Sequence, residues 1–265
     1  MIFGYKDGEK MPKDRKEQIK DILTEKPFVS LHELEAKFPE VTSMTLRRDI
    51  AYLESRGELI KVRGGARSMK FITSSMEDEF GKRLHECTEE KARIALAALA
   101  FIEPNRSIFI DSGTTALALA SVVPDQHIIF TTTGPHVAIE LAKNRKNIVN
   151  LVGGMINHDN FSVSGMEALR FVSEINIDIA FMVPSCVSVS CGFTCGNYSE
   201  CEMKKFILSK AMRKIVLMDS TKLGKSLPYT FCHAEDIDVL ITDDELPRDF
   251  RDQLEKNNVK IIIAK

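Results

Sequence analysis

The sequence lacks any segment typical of a membrane span or a secretory leader. No stretch reaches the roughly 18 consecutive apolar residues that a spanning helix requires. The opening residues, MIFGYKDGEK, hold no apolar core like that of a signal peptide. The six cysteines are therefore expected to be reduced thiols, most of them packed as small apolar side chains. We expect a cytoplasmic protein that does not contact a membrane.

The chain also lacks a strong net charge, but the charge it has is unevenly distributed. Its 265 residues, 44% of them hydrophobic, are enough for two domains with their own cores. Residues 1–70 carry 15 Lys and Arg against 12 Asp and Glu, a net charge of +3, whereas the rest of the chain carries −5. Within residues 43–70 the net charge is +4. A local basic excess on an acidic chain favours contact with a polyanion at one end, although a solvated surface would look the same.

Three helical patterns with recognisable starts occur before residue 57. Ser30 and Glu33 have the spacing of a capping box at the start of the second helix. Thr42 or Ser43 caps the third, and Gly57 ends it. The apolar residues spaced for burial are Ile19, Ile22 and Leu23, then Leu31, Leu34 and Phe38, then Leu46, Ile50 and Leu53.

The third helix is predicted to expose arginine. At 100° per residue, Leu46 lies opposite Met44, Arg48 and Ala51, and Arg47 lies on one flank. The arginines are therefore outside the core. A small residue between basic and polar ones permits close approach to another surface.

A basic hairpin is predicted directly after this helix. Lys61 and Arg63 alternate with apolar residues, and Gly64-Gly65 predicts the turn. Three helices and a basic hairpin form a winged helix-turn-helix, whose third helix fits the major groove of double-stranded DNA. We predict this DNA-binding domain over residues 1–67. Its expected DNA contacts are Thr42, Ser43, Thr45, Arg47, Arg48, Lys61 and Arg63.

Residues 91–265 alternate regularly between short apolar strands and helices. The strands are SIFI, HIIF, IVNL, DIAFM, KIVLM, DVLIT and VKIII. Continuous apolar strands separated by helices predict a mostly parallel α/β sheet covered on both faces. Residues 68–90 are polar and weakly periodic, which predicts a linker that becomes helical near its end.

Polar loops follow several of these strands and predict a ligand site at one edge of the sheet. The loop Asp111 to Thr115 offers a glycine, hydroxyl groups and the backbone N–H groups of a helix start, which suit a phosphate, although Ser and Thr are also common as plain helix caps. No Gly-x-x-x-x-Gly-Lys-Ser/Thr motif occurs, so the loop is not of the Walker type. The predicted effector-binding residues from these loops are Asp111, Ser112, Gly113, Thr114, Thr115, Thr132, Thr133, Gly153, Gly154, Asp219 and Lys222.

The sequence resembles the DeoR family of bacterial transcription regulators over nearly its whole length. The family pattern is Ser/Thr-x-x-Thr-Ile/Leu-Arg-Arg-Asp-Leu/Ile, then Leu-Glu-x-x-Gly and Gly-Gly-Ala. The segments DSGTT, LVGG, SVSG and DSTKLG also occur in the family's order. The matching N-terminal residues are Thr42, Thr45, Leu46, Arg47, Arg48, Asp49, Ile50, Leu53, Glu54, Gly57, Gly64, Gly65 and Ala66.

This resemblance implies a C-terminal domain similar to the ribose-5-phosphate isomerase fold that senses a phosphorylated sugar. It also adds Glu200 and Lys204, which match acidic and basic family positions, to the expected effector site. The chain departs from the family where Thr133 replaces the usual Asn. Three further departures are Val183 and Cys186 in place of glycines and Ser188 in place of Asp. Side chains at glycine positions are expected to reshape the pocket.

Four cysteines lie close together in this deviating region. Cys186, Cys191, Cys195 and Cys201 could bind zinc or sense oxidants, but their spacings lack the Cys-x2-Cys pairs of structural zinc sites. Buried thiols without such a function are the favoured interpretation. We predict no metal ion, no cofactor and no catalytic residue.

The sequence leaves three functions open. The favoured one is a DNA-binding regulator, a repressor of carbohydrate metabolism that binds operator DNA as a homo-oligomer, a dimer or tetramer, and is released by a phosphorylated sugar. The second is a sugar-phosphate isomerase-like enzyme that carries a DNA-binding module. The third is a regulator whose α/β domain serves only for oligomerisation.

Overall fold

The computed structural model describes residues 14–26, 28–56, 58–62, 64–68, 80–244 and 246–265. The chain divides into two compact units, Met1–Ser74 and Ser75–Lys265. This division falls inside the expected linker of residues 68–90, of which 69–79 lie outside the described residues. From residue 80 the chain is helical, and the buried Phe80 belongs to the second unit.

The first unit has the elements of a winged helix-turn-helix. Its helices are α1 (Arg15–Glu25), α2 (Leu31–Lys37) and α3 (Ser43–Ser55), and its strands are β1 (Phe28–Ser30), β2 (Leu59–Val62) and β3 (Gly65–Ser68). The strands pair antiparallel in the order β1-β3-β2. The predicted fold of this unit is therefore confirmed, with β1 as an additional strand.

The predicted helix starts are present as hydrogen bonds. The Ser30 backbone N donates to Glu33 Oε2 at 2.8 Å, and the Glu33 backbone N donates to Ser30 Oγ at 3.1 Å. Thr42 is the cap of α3, because its Oγ1 accepts a hydrogen bond from the Thr45 backbone N at 3.3 Å. Gly57, the predicted end of α3, lies outside the described residues. The side chains buried in the shared core are Ile19, Leu23, Leu34, Phe38, Leu46, Ile50 and Leu53.

The wing turn begins one residue earlier than predicted. Val62 pairs with Gly65, so Gly65 is the first residue of β3 and not part of the turn. Gly64 has φ +88°, a left-handed conformation that favours glycine. Gly65 is needed for another reason, since a Cβ there would lie 2.1 Å from the Val29 carbonyl oxygen of β1. Arg63 lies outside the described residues.

The second unit is an α/β domain. Its helices are α4 (Phe80–His85), α5 (Thr88–Ala98), α6 (Thr114–Val122), α7 (Pro135–Leu141), α8 (Met166–Ser173), α9 (Tyr198–Lys210) and α10 (Arg248–Lys256). Its strands are β4 (Ser107–Ile110), β5 (Ile129–Thr132), β6 (Ile148–Leu151), β7 (Met155–Ile156), β8 (Val163–Ser164), β9 (Ile177–Met182), β10 (Cys186–Ser188), β11 (Gly192–Cys195), β12 (Ala211–Leu217), β13 (Tyr229–Cys232), β14 (Val239–Thr242) and β15 (Lys260–Ile263). Among the described residues, no helix has the length and apolar character that crossing a membrane requires.

Seven of the described strands form one parallel sheet. Their order is β15-β14-β12-β9-β4-β5-β6, and every neighbouring pair is parallel. These are the seven apolar segments that the sequence predicts as strands, so the predicted parallel α/β class is confirmed. Because all the strands run the same way, their carboxyl ends share one edge of the sheet, here called the carboxyl edge.

Both faces of the sheet are covered, as the continuous apolar strands require. Phe109 packs into one buried cluster, whereas its neighbours Ile108 and Ile110 pack into the other. Successive side chains of a strand point to opposite faces. The sheet therefore separates two cores and leaves its carboxyl edge for polar groups.

The structure also contains two small antiparallel sheets that the sequence did not predict. One has the order β10-β11-β13, and the other joins β7 to β8. Their strands are two to four residues long. Such short strands carry too little hydrophobic periodicity to be distinguished from loops in the sequence.

Replacing Ser30 by Ala is expected to loosen α2 without changing the core. Loss of a capping hydroxyl costs about 1 kcal/mol, which corresponds to roughly fivefold faster amide exchange across α2. Hydrogen bonds from the Ser30 backbone and side chain lower the pKa of Glu33. The capping box therefore stabilises α2 fully at pH values above the ordinary pKa of Glu33. This stabilisation is lost as the pH falls through the lowered pKa of Glu33 in the folded protein.

Hydrogen exchange of the full chain, followed by mass spectrometry of peptides covering 31–37, measures this change. Ser30→Thr, which keeps the hydroxyl, is the matched control. Equal exchange in Ser30→Ala and the control at neutral pH would contradict the capping role.

Candidate functional site

The outer face of α3 carries the predicted DNA contacts. Arg47 and Arg48 are exposed, and Ala51 between the turns is partly exposed. Met44 is 68% exposed and Tyr52 46% exposed, and Lys16 Nζ lies 4.3 Å from the centroid of the Tyr52 ring. This face therefore combines cations with exposed apolar and aromatic side chains.

The aspartate of the Arg-Arg-Asp motif does not belong to this face. Asp49 is buried, and its Oδ2 accepts a hydrogen bond from Arg15 Nε at 2.6 Å. This ion pair joins α1 to α3. The motif thus places two arginines outward and uses its aspartate to hold the helix in the domain, which the sequence did not indicate.

The start of α3 is partly occupied by internal hydrogen bonds. Thr42 Oγ1 and Thr45 Oγ1 lie 3.0 Å apart. Ser43 Oγ donates a hydrogen bond to the Glu35 carboxylate of α2. A phosphate at this helix start would have to displace that carboxylate from Ser43.

A groove between α3 and the wing brings two predicted cations together. It is lined by Leu31, Arg47, Ile50, Lys61, Gly64 and Gly65. The Leu31 backbone N donates to the Gly64 carbonyl at 2.7 Å, and the Lys61 backbone N donates to Glu54 Oε1 at 2.9 Å. The wing is therefore fixed against both helices, with Arg47 and Lys61 on the same groove.

In the second unit, a buried ammonium group lies at the centre of the carboxyl edge. Lys204 Nζ of α9 forms an ion pair with Asp111, which follows β4, and another with Glu200 Oε1 at 3.2 Å. It also donates to the Val183 carbonyl at 3.0 Å, after β9. The Lys204 side chain is only 2% exposed.

The protonation of this network follows from its charges. Burial lowers the pKa of Lys204, but attraction from Asp111 and Glu200 outweighs burial and raises it above the ordinary value. Burial raises the pKa of Asp111, and Lys204 opposes that shift. Lys204 is therefore held as a cation that two carboxyl groups share.

The carboxyl groups have further buried partners. Asp111 Oδ2 accepts from the Val183 backbone N at 2.9 Å, and Asp111 Oδ1 accepts from the Ser112 backbone N at 2.8 Å. Glu200 Oε2 accepts from Asn160 Nδ2 at 2.7 Å and from Ser162 Oγ at 3.3 Å. The network thereby connects the ends of β4 and β9, α9 and the loop before β8.

A narrow cleft opens beside this network. Its volume, including its open mouth, is about 200 Å³, less than the roughly 300 Å³ at the lower end of ligand pockets. Gly113 has φ +107° and precedes α6, whose start has no side-chain cap. The residues that line the cleft are Arg83, Ser112, Gly113, Asn160, Val183, Pro184, Ser185, Glu200 and Lys204.

Several of the predicted effector residues meet at this cleft. Ser112, Gly113, Glu200 and Lys204 line it, and Asp111 lies behind Lys204. Thr114 and Thr115 are buried in the first turn of α6. Thr132 Oγ1 lies 3.5 Å from the Asp111 carbonyl and accepts from the Gly134 backbone N at 3.0 Å, so it supports the loop. Thr133 contributes its carbonyl to a backbone hydrogen bond from Val163 N at 2.8 Å.

Nine of the thirteen predicted residues do not line the cleft, and Gly153, Gly154, Asp219 and Lys222 are among these nine. Gly153 is exposed, and Gly154 serves close packing, because a Cβ there would lie 2.5 Å from the Ser164 carbonyl. Asp219 and Lys222 follow β12 on the carboxyl edge, with Oδ2 and Nζ 3.9 Å apart. Burial lowers the pKa of Lys91 on α5, and attraction from Asp219 partly opposes this shift.

Arg83 and Asn160 are among the cleft residues that the sequence did not predict. Arg83 lies in the segment assigned to a linker, and Asn160 lies in a polar loop. Neither belongs to a motif or a periodic pattern, and their contacts join segments far apart in the chain. Only the tertiary structure could have found them.

Val183, which stands where the family usually has a glycine, changes the shape of the cleft. Its backbone still serves the network through both its N–H and its carbonyl. Its side chain is buried, and Cγ1 lies 3.8 Å from where a Cβ on Gly113 would be. The valine therefore narrows the cleft without removing the hydrogen bonds.

The cysteine cluster has the character of buried thiols. Cys186, Cys195 and Cys201 are buried and Cys191 is half-buried, and among the described residues none of the four is in a disulfide. Burial raises the pKa of Cys195 and of Cys201, which keeps these thiols protonated. In the part of the chain that the structure describes, no group of three or more His, Cys, Asp or Glu side chains could hold a metal ion.

Fold and sites together define a class of protein, a winged helix-turn-helix DNA-binding unit joined to an α/β sensor. Residues 15–71 match the family model described as a DeoR-like helix-turn-helix domain. Residues 86–244 match the model described as a DeoR C terminal sensor domain. The chain belongs to the DeoR family, and it is a DNA-binding transcriptional regulator.

Named relatives agree with this assignment over the whole chain. The HTH-type transcriptional regulator GlpR of Haloferax volcanii is 30% identical over 253 residues, 95% of this chain and 98% of that protein. The HTH-type transcriptional regulator GolR of Listeria innocua is 29% identical over 254 residues, 96% of this chain and 99% of that protein. Among solved structures, ribose 5 phosphate isomerase A from Neisseria gonorrhoeae is 16% identical with a TM-score of 0.39, covering 52% of this chain and 54% of that chain.

Replacing Lys204 by Met is expected to destabilise the second unit strongly. The substitution leaves Asp111 and Glu200 buried without their shared cation, and loss of one partner from a buried ion pair costs about 3–5 kcal/mol. Lys205→Met is the matched control, because Lys205 pairs with Glu202 on the exposed side of the same helix. Such surface pairs contribute about 0–1 kcal/mol.

Urea unfolding of the full chain, followed by far-ultraviolet circular dichroism, compares the two variants. A Lys204→Met protein as stable as the Lys205→Met protein would show that the ion network does not hold the carboxyl edge together.

Proposed function

We propose that this regulator is a repressor that binds operator DNA as a homo-oligomer, a dimer or tetramer, in the cytoplasm. A phosphorylated sugar enters the cleft of the second unit and releases the DNA. The observation that supports the proposal most strongly is the polar cleft at the carboxyl edge of the second unit. The first unit of the same chain has exposed cations on α3 and on the wing. A coupling of about 1–3 kcal/mol between the two sites would lower operator affinity about 5- to 150-fold.

On the DNA side, the exposed cations divide into two groups. Arg48 lies on the outer face of α3, where it would contact a base edge or a phosphate in the major groove. Arg47 and Lys61 line one groove between helix and wing, so they would neutralise phosphates beside the major groove. Thr42 and Thr45, at the start of α3, would place the backbone N–H groups of the helix toward a phosphate.

On the effector side, the cleft offers groups for both parts of a sugar phosphate. The loop Ser112-Gly113 and the uncapped start of α6 would receive the phosphate. Asn160 and Glu200 would receive sugar hydroxyl groups, because carboxylates and amides form hydrogen bonds with hydroxyls. The narrow shape beside Val183 favours a small phosphorylated sugar.

The cleft is better suited to binding than to catalysis. General acid-base catalysis needs a group that gains and loses a proton near the working pH. Asp111 and Glu200 both face the Lys204 ammonium group, and the raised pKa of Lys204 holds its proton. We therefore assign no catalytic residue.

Replacing Arg48 by Ala is expected to weaken binding to the specific operator by about 1–3 kcal/mol if Arg48 contacts a base. Lys61→Ala should weaken binding to all DNA sequences alike. It should also reduce the slope of log affinity against log salt concentration by about one, as expected for the loss of one phosphate contact. Arg106→Ala is the control, because Arg106 is an exposed residue of the second unit paired with Glu103.

Genome-wide mapping of bound DNA identifies the operator, and fluorescence anisotropy titrations over a range of salt concentrations then compare the variants. An Arg48→Ala protein that keeps full affinity and sequence preference would overturn the assignment of this face.

Calorimetry of the full chain against a panel of sugar monophosphates tests the effector. We expect one or a few to bind, to lower operator affinity about 5- to 150-fold, and to be recovered unchanged after incubation. Turnover of a bound sugar phosphate would favour the enzyme. A flat result across the panel, with DNA binding intact, would favour a scaffold without an effector.

A further inference from the structure

Arg83 lies in the cleft although it comes from outside the parallel sheet. It belongs to α4, and its side chain is 7% exposed. It lines the cleft together with Ser112 and Gly113, the loop proposed to receive the phosphate. A buried guanidinium group therefore stands beside the predicted phosphate position.

Contacts of Phe80 and Arg83 connect α4 to other elements of the second unit. The Phe80 ring stacks on His136, with centroids 4.9 Å apart and planes 18° from parallel, and meets the Phe161 ring edge-on at 5.5 Å. Lys91 Nζ donates to the Arg83 carbonyl at 2.5 Å. These contacts join α4 to α7, to the loop before β8 and to α5.

The same contacts connect α4 to the sugar side of the cleft. The Phe80 backbone N donates to the Asp159 carbonyl at 2.9 Å, and Phe80 also touches Phe161. Asn160, which holds Glu200 through a hydrogen bond of 2.7 Å, lies between these two residues in the chain. A change at Asn160 therefore reaches α4 through adjacent residues.

The chemistry of the guanidinium group favours Arg83 as the residue that binds the phosphate. The Lys204 charge is offset by Asp111 and Glu200, so that ammonium group adds little attraction for an anion. A guanidinium group presents a planar fork of N–H donors that matches two phosphate oxygens, which a lysine cannot do.

We propose that Arg83 binds the phosphate of the effector and that α4 is the element through which effector binding acts on the rest of the chain. This inference rests on the proposed sugar-phosphate function. The cleft volume of about 200 Å³ is below the usual range of ligand pockets, so we expect binding of a sugar phosphate to widen the cleft by moving part of its lining. Among the lining residues, Arg83 sits on a short helix, whereas Ser112 and Val183 follow central strands of the sheet. In sequence, α4 lies between the DNA-binding unit and the first strand of that sheet.

Arg83→Gln in the full chain tests the inference. We expect affinity for the best sugar phosphate of the panel to fall about 10- to 100-fold, as expected for loss of charge-assisted hydrogen bonds. Arg83→Lys should recover part of the affinity, because it keeps the charge but not the fork. Arg106→Gln is the matched control and should bind like the wild type.

Two further measurements separate recognition from folding. Circular dichroism checks that Arg83→Gln is folded. Hydrogen exchange of peptides covering 80–86 should change when sugar phosphate is added to the wild type, and this change should be absent in Arg83→Gln.

The outcomes distinguish this inference from the proposed function. If the wild type binds a sugar phosphate and Arg83→Gln binds it within twofold, the inference is wrong and the proposed function stands. Unchanged exchange in 80–86 on binding to the wild type would overturn the part assigned to α4. If the wild type binds neither a sugar phosphate nor inorganic phosphate, both fail.

Discussion

The structure of the sensor depends on one buried cation, the Lys204 ammonium group. It joins the end of β4 through Asp111, the end of β9 through the Val183 carbonyl, and its own helix through Glu200. Removing an ammonium group from water is costly, and the cost is offset only when carboxylates and hydrogen bonds surround it. Here both are present. The result is a carboxyl edge on which the Ser112-Gly113 loop and Asn160 have fixed positions before any ligand arrives, and preorganised groups bind with less loss of entropy.

Most of the fold could be predicted because its signals are local. Seven continuous apolar segments predicted the seven strands of the parallel sheet, and the loops that follow them predicted a site at their carboxyl ends. Ser30 with Glu33, and Thr42 with Thr45, form their hydrogen bonds within one turn of helix, so sequence spacing was sufficient. The strand order and the short antiparallel strands depend on contacts between distant segments, which spacing does not contain.

The same distinction separates the predicted from the missed site residues. Asp111 and Ser112 follow a strong strand and were found by position, and Glu200 and Lys204 were found by family resemblance. Arg83 and Asn160 were missed, because each reaches the cleft from a polar segment without periodicity. Gly154, which the sequence predicts as a ligand residue, packs closely against β8. A glycine after a strand serves such packing as readily as it serves a ligand, and the sequence alone does not distinguish the two. In the DNA-binding unit, the ion pair between Arg15 and Asp49 could not be predicted for the same reason, because it joins residues far apart in the chain.

The most direct measurement is a crystal structure of the full chain grown with the sugar phosphate that binds it most tightly. The account predicts phosphate density between the Arg83 guanidinium and the Ser112-Gly113 loop, with Lys204 still paired to Asp111 and Glu200. Density for the ligand elsewhere, for example in the surface groove of Lys205 and Lys214, together with an unchanged cleft, would contradict it.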